Sequence, residues 1–248
     1  DQHQPAADAA RFWIAPLGGA RRALLSSPGD AVLLRFPPSG VGSGAFEVST
    51  EAAGGATWLS IYPPPATLRV AQQLGVIDRA GINPTHEIED ADIVLVATPV
   101  AQMPEIFERI APYLGPNTIV TDGGSTKGDV IAAARANLGE RIRQFVPAHP
   151  ITGKELAGVQ NADVDLYKDR QVILTPIAAT SKPLVDKAQA VWTALGAHVQ
   201  TMTPEAHDAA FAAVSHLPHL LAFAYFTGIL QQKEAEQFLA LAGPGFRD

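Results

Sequence analysis

The chain has 248 residues, of which 47% are apolar and 17% charged, enough for one large domain or two modest ones with a buried core. Its net charge of −7 argues against nucleic-acid and anionic-membrane binding, because both need a positive field. Cysteine is absent, which excludes disulfides, thiolate zinc sites, iron–sulfur clusters and cysteine nucleophiles. With no apolar run of membrane-spanning length and no secretory-signal pattern, we expect a cytoplasmic protein.

The first 65 residues differ from the rest of the chain. Proline and glycine clusters such as Pro37-Pro38, Gly54-Gly55 and Pro63-Pro64-Pro65 interrupt every periodic pattern there. We therefore expect residues 1–65 to be atypical and mostly loop or disordered. Because the chain also begins with Asp1 rather than methionine, we expect a fragment of a longer protein.

From Ala66 the pattern is regular and alternates helices with short apolar strands. The predicted elements are a helix over 66–74, a strand over 91–96, a helix over 100–114, a strand over 117–121, a helix over 126–138, strands over 144–148 and 170–175, a helix over 183–195 and a strand over 197–202. This alternation predicts βαβ units and an α/β fold with a mostly parallel sheet.

The predicted strands stop after Thr203. Residues 204–241 are predicted to be helical with one break at Pro218, because its ring does not fit inside a regular helical turn. The apolar run over 220–230 is about half a membrane span and predicts a buried helix. The sequence therefore predicts a sheet-containing domain over 1–201 and the start of an all-α domain over 202–248.

Polar clusters follow three of the predicted strands. Thr98-Pro99 follows the first of these strands, Asp122-Gly-Gly-Ser-Thr-Lys127 the second and His149-Pro-Ile-Thr-Gly-Lys-Glu155 the third. Ligands of doubly wound sheets bind beyond the carboxyl ends of the strands. The three clusters therefore predict one site at one edge of the sheet.

These clusters are part of a longer set of motifs that resembles the prephenate dehydrogenase family over roughly residues 66–248. The motifs are those at 122–127 and 149–155, the run from Leu166-Tyr167 to Pro176, His207-Asp208, Val214-Ser-His-Leu-Pro-His219 and Gly243-Pro-Gly-Phe-Arg-Asp248. The family oxidises prephenate or arogenate with NAD or NADP on the route to tyrosine. The resemblance implies a Rossmann-like nucleotide-binding domain, a truncated helical domain for substrate and dimerisation, a small-molecule substrate and a homodimer of the full-length protein.

The resemblance also implies roles for individual residues. His149 is implied as the base that takes the proton of the substrate hydroxyl, a role that suits an imidazole that is neutral near pH 7. Ser125 is implied to hydrogen-bond the same hydroxyl and to contact the cofactor. The other implied residues are Lys154, Glu155, Ser215, His219 and Arg247 for substrate, and Thr98, Pro99 and Asp122 for cofactor.

Several of these residues also have a purely structural interpretation. Asp122 and Ser125 would stabilise the glycine-rich turn, Lys154 would face solvent, and Thr98 would end a strand. His216 and His219 have the helical spacing of metal ligands, but no third ligand stands at a matching distance in the sequence, so no metal site is expected.

The glycine-rich loop departs from the family pattern. Its candidate, Gly40-Val-Gly42-Ser-Gly-Ala45, fits the G-x-G-x-x-A form, and we assign Gly40 and Gly42 to the cofactor. However, Pro37-Pro38 precedes it, no clean helix follows, and Tyr62 lies where an acidic residue should hold the ribose. A correct length with the wrong content suggests that part of residues 1–65 is translated out of frame or otherwise altered.

The far end of the chain departs as well. The family continues beyond Asp248 into an arginine that binds the ring carboxylate and into dimerisation helices, so the helical domain is expected to be cut short.

Two alternative functions stay open: a non-catalytic nucleotide- or metabolite-binding module, and a β-hydroxy-acid dehydrogenase of the same architecture. The sequence distinguishes neither NAD from NADP nor prephenate from arogenate.

Overall fold

The structure is a computed structural model. It describes residues 91–152, 163, 165–243 and 246, with shorter segments at 30–35, 41–42, 45–46, 57–61, 69–70, 72–74, 79–81 and 88. The chain divides into two compact units, Asp1–Glu205 and Ala206–Asp248.

The first unit is built on β-strands. In chain order they are β1 (Asp30–Arg35), β2 (Val41–Gly42), β3 (Ala45–Phe46), β4 (Thr57–Ile61), β5 (Arg79–Gly81), β6 (Ile93–Ala97), β7 (Ile119–Asp122), β8 (Phe145–Val146), β9 (Ala148–Pro150), β10 (Gln171–Leu174) and β11 (His198–Thr201). They form a six-stranded sheet in the order β5-β4-β1-β6-β7-β8, a three-stranded sheet β11-β10-β9 and the pair β2-β3.

The strands β6, β7 and β8 are parallel, as predicted, whereas β9, which carries His149, pairs antiparallel with β10. β6 pairs with β7 and β7 with β8 in parallel, and so do β10 with β11 and β4 with β5. The exception in the large sheet is β1, which is antiparallel to both β4 and β6. The predicted strand over 144–148 is divided into β8 and β9 at Pro147, because proline has no backbone N–H to donate to a ladder.

Strands also occur within the first 65 residues, where the sequence predicted mostly loop. Among the described residues of this stretch, 30–35 and 57–61 form β1 and β4, which pair with each other. The sequence patterns do not predict these two strands, and most of the remaining residues of the stretch lie outside the described part of the chain. The short apolar runs of β1 and β4, Ala-Val-Leu-Leu at 31–34 and Trp-Leu-Ser-Ile at 58–61, are long enough for strands although proline-rich segments flank them.

Three helices cover the large sheet of the first unit. They are α1 (Met103–Ile110), α2 (Gly128–Asn137) and α3 (Lys182–Ala194). Alternate residues of β6 point to opposite faces: Val94 and Val96 pack in one core with residues of α1 and α2, whereas Ile93 and Leu95 pack in a second core with residues of α3. Burial on both faces explains the continuous apolar run of β6.

The helices that follow are α4 (Pro204–Phe211), α5 (Leu217–Leu230) and α6 (Ala235–Ala240). A π-helical turn, Ala212–His216, separates α4 from α5, and the Leu217 N–H donates to the Ala212 carbonyl. Pro218 is the second residue of α5, and the π turn directly before this helix accommodates a ring that does not fit inside a regular α-helix. The predicted break therefore takes the form of a π turn just before the proline.

Apolar side chains of α5 are exposed, so the prediction that this helix is buried is wrong for the single chain. Leu220 is 65% exposed and Phe223 70% exposed. Within the described part of the second unit, only the short α6 and Phe246 follow α5, and Phe246 contacts Tyr225 and Phe226 with ring centroids 6.1 Å apart. The continuous stretch Pro204–Leu230 reaches a mean hydropathy of 1.4, and its length and composition would allow it to cross a membrane.

Candidate active site

The described residues of the three polar clusters predicted from the sequence follow the carboxyl ends of β6, β7 and β8. Thr98 follows β6, Asp122 ends β7, and β9 begins at Ala148 one residue after Pro147. The loop after β7 is tied to β6 by the Gly123 N–H, which donates to the Val96 carbonyl at 3.1 Å. The loop 122–127 therefore lies between the end of β6 and the segment that carries His149.

Asp122 and Lys127 form a completely buried ion pair in this loop. Lys127 Nζ donates to Asp122 Oδ2 at 2.5 Å, and both side chains have 0% exposure. The same carboxylate oxygen accepts the Gly124 N–H at 2.8 Å, while Oδ1 accepts the Ala148 N–H at 3.0 Å. Lys127 Nζ also donates to the Ala148 carbonyl at 2.5 Å.

His149 lies in the middle of β9 and is 9% exposed. On one side β9 pairs antiparallel with β10, where His149 is opposite Ile173. On the other side, the residues before and after His149 both approach the loop 122–127: Ala148 through its hydrogen bonds, and Pro150 through its ring, whose Cγ would lie 3.9 Å from a Cβ at Gly123. The histidine therefore has a fixed backbone at the edge of the sheet.

Ser125 is exposed within the same loop, between the buried residues Gly124 and Lys127. The structure places this hydroxyl on the segment that holds the backbone before His149. The contact of Ser125 with substrate or cofactor stays a prediction. For Asp122, the structure supports the structural interpretation, since both of its oxygens accept hydrogen bonds from this chain.

The edge of the sheet also offers polar atoms that a nucleotide would satisfy. Thr98 Oγ1 and Thr126 Oγ1 are buried and have no hydrogen-bond partner among the described residues. A buried hydroxyl without a partner costs free energy, so a ligand that supplies acceptors fits here. Pro99, which follows Thr98, is half-buried and begins a short 3₁₀ turn at 100–102.

The glycine assignments lack this kind of support. Gly40 lies outside the described residues, and Gly42 is in β2, which pairs antiparallel with β3 through Ala45. A strand pair is not the strand–loop–helix arrangement that the motif requires. The structure therefore places Gly42 away from the expected geometry, and its role in cofactor binding stays a prediction.

The predicted substrate residues fall in two groups. Lys154, Glu155 and Arg247 lie outside the described residues. Ser215 is in the π turn, and His219 Nδ1–H donates to its carbonyl at 2.8 Å, which leaves Nε2 of His219 as the acceptor nitrogen. This places both residues on one face of the α4–α5 junction, and π turns are frequent at functional sites.

Two residues of the family-like motifs turn out to be packed in the interior. Tyr167 packs edge-on against Trp192, with ring centroids 5.2 Å apart, and burial raises the pKa of its phenol well above its usual range. His207 is completely buried, its Nδ1 lies 2.8 Å from Asp208 Oδ1, and its ring packs on Phe211. Within the part of the chain that the structure describes, no group of three or more His, Asp and Glu side chains could hold a metal ion.

The sequence motif at 122–127 assigns no role to Lys127. The structure buries this lysine against the backbone before His149. A lysine that follows a strand-ending aspartate by five residues is a usable signal, because the turn brings its side chain back over the strand end. The complete burial of Lys127, however, is a property of the folded chain.

Comparison with known proteins identifies the family of the chain. Residues 61–201 match the family model described as prephenate dehydrogenase, nucleotide-binding domain, and residues 203–248 match prephenate dehydrogenase, dimerization domain. The cyclohexadienyl dehydrogenase of Zymomonas mobilis is 33% identical over 75% of this chain and 67% of the relative. The prephenate dehydrogenase of Bacillus subtilis is 34% identical over 72% of this chain and 48% of the relative.

Solved structures give the same result. A structure of prephenate dehydrogenase from Aquifex aeolicus in complex with hydroxyphenyl propionate and NAD+ is 35% identical, with a TM-score of 0.69 over 76% of this chain and 65% of that chain. Arogenate dehydrogenase of Synechocystis is 27% identical, with a TM-score of 0.65. The chain spans about half to two thirds of the length of the curated relatives it matches. By both family models and these relatives, the chain belongs to the prephenate dehydrogenase family.

Proposed function

We propose that this chain oxidises and decarboxylates prephenate or arogenate with NAD or NADP, and that His149 is its catalytic base. The observation that carries the proposal is the position of His149 at the carboxyl edge of the parallel sheet, on a backbone that Asp122 and Lys127 hold. The named activities of the relatives, and the NAD+ in the Aquifex aeolicus structure, support the same reaction.

The chemistry of the substrate defines what the site must do. Both substrates carry a hydroxyl at C4 and a carboxylate at C1 of a cyclohexadiene ring. Aromatisation requires that C4 lose a hydride and that the C1–carboxylate bond break to release carbon dioxide. The hydroxyl gives up its proton while C4 is oxidised, and the same oxygen carries a proton again in the phenol product. The nicotinamide coenzyme, when bound, accepts the hydride.

The protein supplies the base and the orientation. A neutral His149 imidazole takes the hydroxyl proton as C4 loses its hydride, so that C4 becomes a carbonyl carbon. When the C1–carboxylate bond breaks, its electron pair completes the aromatic ring and places the charge on the C4 oxygen. This oxygen takes the proton back from the imidazolium, and carbon dioxide leaves. Ser125 hydrogen-bonds the same hydroxyl and aligns its proton with the imidazole. Holding the reacting groups in this way raises the rate, because less entropy is lost on reaching the transition state. The base itself raises the rate by about 10²- to 10⁴-fold.

The remaining assignments extend this site. Thr98 and Pro99 would hold the coenzyme at the end of β6, where the unpartnered Thr98 hydroxyl fits an acceptor of the ligand. For the substrate we keep Ser215 and His219, whose geometry the α4–α5 junction sets, together with Lys154, Glu155 and Arg247. Gly40 and Gly42 remain assigned to the coenzyme from the sequence motif.

We further propose that the chain forms a homodimer through the exposed apolar residues of α5. Monomeric soluble proteins rarely expose a contiguous apolar patch of this kind, and residues 203–248 match a domain whose description is dimerization. A dimer contact would explain the apolar composition of the helical stretch Pro204–Leu230 as well as a membrane-spanning position would. The cytoplasm stays the expected compartment.

A coenzyme-reduction assay tests the proposed reaction. The chain is mixed with each pairing of prephenate or arogenate and NAD+ or NADP+, and reduced coenzyme and carbon dioxide are measured together. Equal amounts of both products are expected for at least one pairing, which also identifies the substrate and the coenzyme. Coenzyme binding without reduction in any pairing would favour the non-catalytic module instead.

A further inference from the structure

The buried ion pair of Lys127 and Asp122 is hard to explain by stability alone. Both side chains have 0% exposure, and removing two charges from water carries a desolvation penalty that often cancels their attraction. Well-packed apolar side chains of similar volume are frequently just as stable in such positions. The pair therefore calls for a role that depends on its geometry.

Two further hydrogen bonds of the pair converge on Ala148, the residue before the proposed base. Asp122 Oδ1 accepts the Ala148 N–H at 3.0 Å, and Lys127 Nζ donates to the Ala148 carbonyl at 2.5 Å. That carbonyl belongs to the peptide unit that includes the backbone nitrogen of His149. Because peptide units are planar, the bond from Lys127 fixes the orientation of the plane from which His149 extends.

The pair is itself anchored to the sheet. Asp122 is the last residue of β7, which pairs with β6, and its Oδ2 also accepts the Gly124 N–H at 2.8 Å. Lys127 directly precedes α2. The rigid strand β7 and the start of α2 are thus connected to β9 through two charge-assisted bonds, which are stronger than bonds between neutral groups.

We propose that Lys127 is a positioning residue for His149: together with Asp122 it holds the backbone of Ala148 so that the imidazole keeps its place at the edge of the sheet. The proposal rests on the proposed function only for the identity of the base. A displacement of about 1 Å costs on the order of 10²-fold in rate when a reacting group is misplaced.

Two variants separate this role from a structural one. Lys127→Met removes the bond to Ala148 but leaves Asp122 without its buried partner. The double variant Asp122→Asn/Lys127→Met removes both charges and keeps an amide oxygen for the Ala148 N–H, so it remains informative if the single variant does not fold. The matched control is Lys182→Met, which breaks the exposed ion pair of Lys182 with Asp186, 2.9 Å apart on α3.

Three measurements are made on each protein. The first is the kinetics of the proposed reaction, separated into kcat and the KM of the coenzyme. The second is the rate at which diethyl pyrocarbonate modifies His149, followed by peptide mass spectrometry, which needs no turnover. The third is the melting temperature, which shows that the variant is folded.

Both variants are expected to lower kcat by about 10²-fold, to leave the coenzyme KM within about twofold, and to change the modification rate of His149 severalfold. Lys182→Met is expected to match the unsubstituted chain. A folded double variant with unchanged kcat and an unchanged modification rate would overturn the proposal. An unsubstituted chain without turnover would contradict the proposed function, while the modification rates would still decide whether Lys127 positions His149.

Discussion

Gly124 lies where the buried pair, α1 and α2 come closest together. A Cβ added at this residue would be 3.0 Å from both Asp122 Oδ2 and Val130 Cγ2, and 3.3 Å from Met103 Cε. None of these neighbours is free to move, because Asp122 is held by Lys127 and Val130 and Met103 belong to a packed core. Interiors packed at this density resist even a single added methyl group.

The substitution Gly124→Ala is therefore expected to destabilise the chain by about 1–3 kcal/mol, the usual cost of overpacking. Urea denaturation measures the free energy of unfolding. Gly243→Ala is the matched control, since nothing lies within 4 Å of its added Cβ and it lies outside α5. Equal stability of the two variants would show that the loop after β7 is looser than the structure indicates.

The residue types in the sequence predict the chemistry of this site better than they predict the contacts that hold His149 in place. His149 and Ser125 were identified because a histidine and a hydroxyl after parallel strands suit proton transfer, and because their motifs resemble a known family. The sequence signal for Lys127 is only its spacing from Asp122. A lysine is usually exposed, and only the fold shows that its ammonium is buried on a backbone carbonyl. The resemblance implies a cofactor contact for Asp122, whereas the hydrogen bonds that its carboxylate accepts from Gly124 and Ala148 are visible only in the folded chain.

At the scale of elements, the helices and strands over 91–202 follow the predicted order closely. β6 and β7 were recognised from continuous apolar runs, and α3 from its apolar spacing before Gly196. The structure differs from the predicted elements where pairing between distant segments determines the strands. Pro147 divides one predicted strand into β8 and β9, and β9 pairs antiparallel with β10, which no local pattern indicates.

The helix α5 is the element whose surroundings the sequence misjudged. Its residues are apolar on all sides, which is typical of a buried helix, yet Leu220 and Phe223 are exposed in this chain. Both observations are consistent if the cover comes from a second copy of the chain. Burial then belongs to the assembly and not to the single polypeptide.

An acidic residue at Phe223 tests this dimer. Phe223→Asp is expected to raise the dimer dissociation constant about 30-fold or more, as for a central aromatic contact, because a charge would be buried in an apolar interface. Analytical ultracentrifugation measures the constant, and Gln189→Asp on α3, at an exposed position, is the control. A monomeric unsubstituted chain would contradict the dimer, and binding of that chain to phospholipid vesicles would favour a membrane contact instead.

At the scale of the whole molecule, the family match and the regular sequence pattern begin at nearly the same place. The nucleotide-binding family model starts at residue 61, and the predicted alternation of helices and strands starts at Ala66. Before that point the structure describes β1 and β4, with β1 antiparallel to its neighbours in an otherwise parallel central region. The fold is predictable where each local pattern agrees with the global arrangement, and the first 65 residues lack that agreement.

The proposed reaction, the buried pair and the edge of the sheet all meet at His149. The direct test is kcat of His149→Asn with the substrate and coenzyme that the unsubstituted chain uses, with His198→Asn, a 69% exposed histidine on β11, as control. We expect kcat to fall by about 10²- to 10⁴-fold with coenzyme affinity retained, and the control to be unaffected. A His149→Asn variant that is folded and as fast as the unsubstituted chain would contradict the account.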